Sequence, residues 1–234
     1  MKTQRSVGRS ANPAEWRRLE RLVDRQLAVL AGKRCPKKWL KLLGASSSVA
    51  LSVAARNYQP GFDLSLMAVV PACCVGLKRL LSWICLDGKR GFTSLDTSKL
   101  VDVIATPALP YWVFSVSCGQ EETVNLGSDT ASTRLQQKLR RPMTISEAVA
   151  LCVHDEHGIA ITKIAFRAGA SRHDLWSQVP LIFWDYDDNA PCLGSIPTYG
   201  VAPNFALPSL DEELMIEGFH GERVRAWKSR FVKQ

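Results

Sequence analysis

Several short stretches of this 234-residue chain hold residue types that can do chemistry. In Leu86 to Phe92, LDGKRGF, two adjacent cations sit between two glycines. Glycine lets backbone N–H groups approach an anion and the cations add charge, so such a turn can hold phosphate. The stretch departs from the P-loop pattern: Arg90 rather than Ser or Thr follows Lys89, and Trp83 rather than Gly lies five positions before Gly88. A corner between a helix and a strand, with Lys89 and Arg90 in solvent, is the plainer reading. His154-Asp155-Glu156-His157 concentrates metal-ligand types, and histidines three apart can share a helix face. With no third placed ligand, a polar helix end is favoured and no metal is assigned. Asp185, Asp187 and Asp188 suit a hard cation, but hairpin loops recruit Asp for turn geometry alone. Arg172 and His173 follow the flexible RAGAS stretch, within reach of a polar pocket only if the fold brings them to His154. An enzyme reading therefore needs one cavity gathering Lys89, Arg90, His154, Arg172 and Trp184. No serine sits in a G-x-S-x-G elbow, no cysteine has a local catalytic signature, and no cofactor is implied.

Charge points elsewhere. Residues 1–43 hold twelve Lys or Arg against three acids, while the remainder holds eighteen against nineteen, so the whole excess of +8 lies at one end. Arg17, Arg18, Arg21 and Arg25, followed by Lys33, Arg34, Lys37, Lys38 and Lys41, can track phosphates, with Trp16 and Trp39 at hand for stacking or anchoring. The bland alternative is a solvated helix whose tryptophans are core.

These residues need elements to position them. Asn12-Pro13-Ala14-Glu15 supplies an N-cap, a proline at the first helical position and an early acid; Trp16, Leu19, Val23, Leu27 and Leu30 then share one helical face, and Gly32 ends it. Pro36 opens a second helix ending at Gly44. ASSSVALSVAAR fits either a buried helix or a loop with a strand. LSLMAVV reads as a buried strand, Cys73 to Ile84 as a helix, YWVFSVSCG as a strand and turn, and Asp129 to Leu139 as a helix. Thr144-Ile145-Ser146-Glu147 is a capping box opening a helix to His154, and VPLIFWD with PCLGSI forms a hairpin around DYDDNA. A second box, Ser209-Leu210-Asp211-Glu212, predicts a C-terminal helix. The expected class is α+β: a central, largely antiparallel sheet, a basic helical region over 1–44 and a globular domain over 45–234.

The seven cysteines form no C-x-x-C pair and mostly sit in apolar runs, as reduced, buried thiols of a cytoplasmic protein do. The N-terminal residues lack the apolar core of a signal peptide, and the longest apolar stretch is broken by Pro71, Gly76 and Lys78-Arg79, so no membrane span is expected.

From Leu86 to about Gly194, the order LDGKRGF, PYWVFSV, MTISEAVAL with His154 after it, GASR, VPLIFW and APCLG resembles an uncharacterised family of bacterial proteins labelled only as a domain of unknown function. The resemblance implies one compact bacterial domain and brings no activity, cofactor or catalytic residue. The basic start and the ending after Gly194 depart from the family's pattern. The leading expectation is a bacterial accessory protein whose basic N-terminal helices contact nucleic acid or an acidic protein surface. The alternatives are the enzyme described above and a homo-oligomer joined through the Trp16–Leu30 face.

Overall fold

The computed structural model describes residues 10–119, 122–155, 162, 164–174, 177–200, 204–211, 215–217 and 225–227. Helix α1 (Pro13–Gly32) starts as its sequence dictates. Asn12 Oδ1 accepts the N–H groups of Ala14 and Glu15, both at 3.0 Å, and Glu15 Oε2 accepts that of Asn12 at 2.8 Å. Leu19, Val23 and Leu30 are buried along one face. Gln26 shares that face and ties the helix to a strand edge, donating to Leu66 O at 2.9 Å and accepting Ala68 N–H at 2.7 Å.

The second helix does not stop at Gly44. α2 (Lys37–Arg56) runs through it, so the expected boundary at residue 44 falls inside a helix. A helical glycine costs about 1 kcal/mol. Here the cost is offset by a stripe of small buried residues, Ser46, Ala50 and Ala54, at four-residue spacing. The serine hydroxyls bond back within the helix, Ser46 to Leu42 O at 3.0 Å and Ser52 to Ser48 O at 2.9 Å.

β1 (Leu64–Val69) leads into α3 (Ala72–Val75) and α4 (Leu77–Leu81), two short helices where one was expected; Gly76, at φ +84°, divides them. LDGKRGF is then a tight hairpin, not a helix-to-strand corner. β2 (Cys85–Leu86) pairs antiparallel with β3 (Lys89–Arg90) across Asp87 and Gly88, both at positive φ. Gly91 is required by close approach, since a Cβ there would lie 2.4 Å from the Leu81 carbonyl oxygen.

After a 3-10 turn at Thr97–Lys99 come β4 (Leu100–Asp102), β5 (Tyr111–Val116), α5 (Ser128–Gln137) and β6 (Arg140–Pro142). α6 (Ile145–His154) starts at the expected capping box, with Glu147 Oε2 accepting the Thr144 N–H at 2.8 Å. β7 (Ala165–Arg167), β8 (Ser171–His173), β9 (Gln178–Asp185) and β10 (Ala190–Pro197) follow; β9 and β10 form the expected hairpin, with Asp185 opposite Ala190. The chain continues through β11 (Phe205–Ala206), β12 (Ser209–Asp211), β13 (Met215–Glu217) and β14 (Arg225–Trp227).

The class is α+β, with the strands divided between two larger sheets instead of one central sheet. One has the order β1-β5-β13-β14, and the other runs β11-β7-β9-β8-β4 with β10 on β9. Pairing is antiparallel except between β11 and β7. α1 and α2 pack on the first sheet, while α6, buried along its whole length, touches both β1 and β9. One core cluster joins Leu19, Leu43, Met67, Trp112, Val149 and Ile182, so the N-terminal helices belong to the body.

The predicted C-terminal helix is replaced by strands. Leu210 is fully buried, and β12 pairs with β6, Ser209 opposite Pro142. The Ser209 hydroxyl accepts from Arg140 Nε at 2.9 Å and its carbonyl from Arg140 Nη2 at 3.0 Å, so the intended cap is held by a strand partner. Glu212 lies outside the described residues. Among the described residues no helix is long and apolar enough to cross a membrane.

Candidate nucleic-acid interface

α1 is amphipathic in charge as well as in hydropathy. With its apolar face in the core, Arg17, Arg18, Arg21 and Arg25 are left exposed. Arg18, Arg21 and Arg25 follow one another at three and four residues, a row about 10 Å long at 1.5 Å per residue. They form one wall of a groove of about 400 Å³ whose other wall is the segment 58–65, including Tyr58, Phe62 and Asp63. Asp63 is the groove's one carboxylate, and it is engaged by the Cys118 N–H at 2.6 Å. Phe62 lies under the Arg140 guanidinium at 4.5 Å. Among the described residues no carboxylate pairs with Arg17, Arg18 or Arg21; Arg21 Nε donates instead to Arg17 O at 3.3 Å.

A second cationic corner lies where α1 turns into α2. Arg34, Lys37 and Lys38 are exposed and Lys33 is half-buried. Arg79 Nη2 donates to Arg34 O at 3.0 Å and so brings α4, with exposed Lys78, to the same corner. Sequence reading missed Lys78, Arg79 and the 58–65 wall, because only the fold places them beside α1. It also offered Trp16 and Trp39 for stacking. Both are packed against the core; Trp16 Nε1 donates to Glu20 Oε1 at 2.9 Å, and Lys38 Nζ sits 4.3 Å from the Trp39 ring centre. Leu19, Val23 and Leu30 are likewise core residues, so the face that would have joined two copies is used within the chain.

The five residues of the enzyme reading lie apart. Lys89 and Arg90 are exposed on the β2–β3 hairpin. His154 is buried at the end of α6, its Nε2 donating to Ala68 O at 3.0 Å. Arg172 Nη1 donates to Gly169 O and Ser171 O at 2.7 and 2.8 Å. Trp184 lines an open groove of about 650 Å³ with Phe183, Tyr186 and Phe205 but with none of the other four. Of the histidine-rich stretch, Glu156 and His157 lie outside the described residues, and no cluster of three metal-ligating side chains forms among those described. Asp185 Oδ1 accepts the N–H groups of Asp187 at 2.9 Å and Asp188 at 3.3 Å, which is turn work.

Two titratable groups, half-buried Asp102 and buried His154, oppose each other. Burial carries the Asp102 carboxyl from 3.8 up to about 6, against the Ser171 hydroxyl that donates to it. Burial also holds the His154 imidazole down at about 4, from 6.5. Between pH 4 and 6 the folded chain keeps a proton on Asp102 that the unfolded chain has lost, so this contribution to stability disappears as pH rises through the window. Between pH 6.5 and 4 the unfolded chain protonates His154 and the folded chain does not, so that contribution disappears as pH falls. Each spans about 3 kcal/mol, and together they nearly cancel. Asp102→Asn is expected to raise stability at pH 7 and to expose the histidine alone, giving a loss of about 3 kcal/mol on acidification from pH 6.5 to 4. Urea midpoints against pH check this; parallel profiles for the two proteins would refute it.

Comparison with protein-family models, with curated proteins and with solved structures finds no match to this chain.

Proposed function

We propose that this chain is a bacterial accessory protein of the cytoplasm that binds nucleic acid, seating a phosphate backbone in the groove between α1 and segment 58–65. The observation that carries the reading is the row Arg18, Arg21, Arg25 along an open groove, on a molecule whose charge beyond residue 43 is close to balanced. The Arg34, Lys37 and Lys38 corner, beyond the C-terminal end of α1, would extend the contact. The free state of all seven cysteines supports the cytoplasm, while only Cys35, Cys152 and Cys192 are buried as the apolar runs led one to expect. With no base-reading motif in view, the contact is sequence-independent and its affinity electrostatic.

The test is a salt titration with generic duplex and single-stranded DNA. Each phosphate contact contributes about −0.9 to the slope of log K against log salt on duplex, so the groove alone gives a slope near −3 and the groove with the corner about −5. No binding at low salt overturns the proposal, and binding only to an acidic protein surface would reassign the partner.

A further inference from the structure

Arg167 is 0 % exposed, yet it is held unlike the other buried arginines. Arg141 grips the Glu147 carboxylate at 2.6 and 2.8 Å. Arg140 reaches Ser115 O, Ser209 Oγ and Ser209 O at 2.6, 2.9 and 3.0 Å. Arg167 reaches Ser128 Oγ only at 3.4 Å and Thr123 O and Phe205 O only at 3.5 Å, and its Nε, like that of Arg141, has no partner among the described residues. Burial pulls the guanidinium down to about 10, with no acid acting to restore it. A buried, loosely held guanidinium without a counter-charge is costly.

Its neighbour sharpens the problem. Ser128 is the first residue of the ten-residue helix α5; its own N–H donates to Thr198 O at 3.3 Å, and the N-cap position, Gly127, offers no side chain to the N–H groups of Asp129 and Thr130. A helix N-terminus carries partial positive charge, so two positive ends meet at the Ser128 hydroxyl. Asp129, in the same turn, is exposed, and its charge acts on Arg172, not on Arg167. A small anion placed there answers both ends at once: oxyanions accept from two guanidinium N–H groups, and helix N-termini bind phosphate through their amides. Asp129 and Thr130 are exposed, which leaves the first turn of α5 open to solvent.

We propose that Arg167, Ser128 and the first turn of α5 form a binding site for a small oxyanion of the phosphate class. It is independent of the α1 groove, which shares no residue with it. Calorimetric titration of the full chain with inorganic phosphate at constant ionic strength is expected to show one saturable site and a melting midpoint that rises with phosphate. Ser128→Asp places a carboxylate beside the guanidinium. It is expected to raise the midpoint in phosphate-free buffer and to abolish the phosphate response. Thr130→Asp, in the same turn but exposed, controls for the general benefit of an acid at a helix start. An absent phosphate response in the wild type, or a Ser128→Asp midpoint no higher than that of Thr130→Asp, overturns the site. So does a response that survives Ser128→Asp and vanishes in Arg18→Gln/Arg21→Gln, since that places the phosphate in the groove.

Discussion

Glu147→Gln is expected to lower the free energy of unfolding by about 3–5 kcal/mol, the cost of breaking a buried ion pair by removing one partner. Glu147 is fully buried in an otherwise almost wholly apolar helix. Its carboxylate accepts from Arg141 Nη1 and Nη2, from the Tyr111 hydroxyl at 2.9 Å and from the Thr144 N–H at 2.8 Å. Burial alone would push its pKa up, but the Arg141 charge and these donors outweigh it and hold the group below the usual carboxylate range. Thr144 and Tyr111 bond different carboxylate oxygens, so the single oxygen of glutamine keeps an acceptor for Thr144 only and turns an amide donor towards the guanidinium, leaving a buried cation unpaired. Arg141→Met strands the opposite charge and is expected to cost as much. The double variant Arg141→Met/Glu147→Gln removes both charges and keeps the cap, so its loss should be far below the sum of the two single losses. Urea unfolding of all four proteins measures the coupling; additive losses would show that the pair does not act as a unit.

Sequence alone could place Glu147 in a capping box, because that signal lies within four residues. It could not find Tyr111, 36 positions away, because nothing local distinguishes a tyrosine that will meet a carboxylate. The same division holds across the fold. Asn12, Thr144 and the β9–β10 hairpin were legible because caps and turns are short-range chemistry. α2 beyond Gly44 and the strands after Ser209 were not, because burial against distant partners overrode a local stop in one case and a local start in the other. The groove was half legible: the spacing of Arg18, Arg21 and Arg25 is written in the chain, but the wall at Tyr58 to Ser65 belongs to a segment more than 30 residues later. Arg167 gave no local sign of its burial, since only the pairing of β7 with β9 and β11 sets it apart from the exposed arginines.

Arg18→Gln/Arg21→Gln separates binding from folding, because the two effects run in opposite directions. If both guanidinium groups meet phosphate, neutralising them reduces the salt slope by about two. Arg21 is a like-charge neighbour of Arg17, Arg18 and Arg25 at helical spacings of three or four, against two opposite-charge neighbours at three, Asp24 to Arg21 and Glu15 to Arg18, and each pair is worth roughly 0.2–0.5 kcal/mol. Both side chains are exposed, and the one hydrogen bond lost, Arg21 Nε to Arg17 O, is replaced by water. The double variant should therefore unfold at an equal or slightly higher urea concentration while binding DNA more weakly, with the deficit widest at low salt. An unchanged slope in a fully folded variant would move the phosphate contacts off α1. A slope reduced by about two, with folding intact, would tie the cationic row of α1 to the proposed partner.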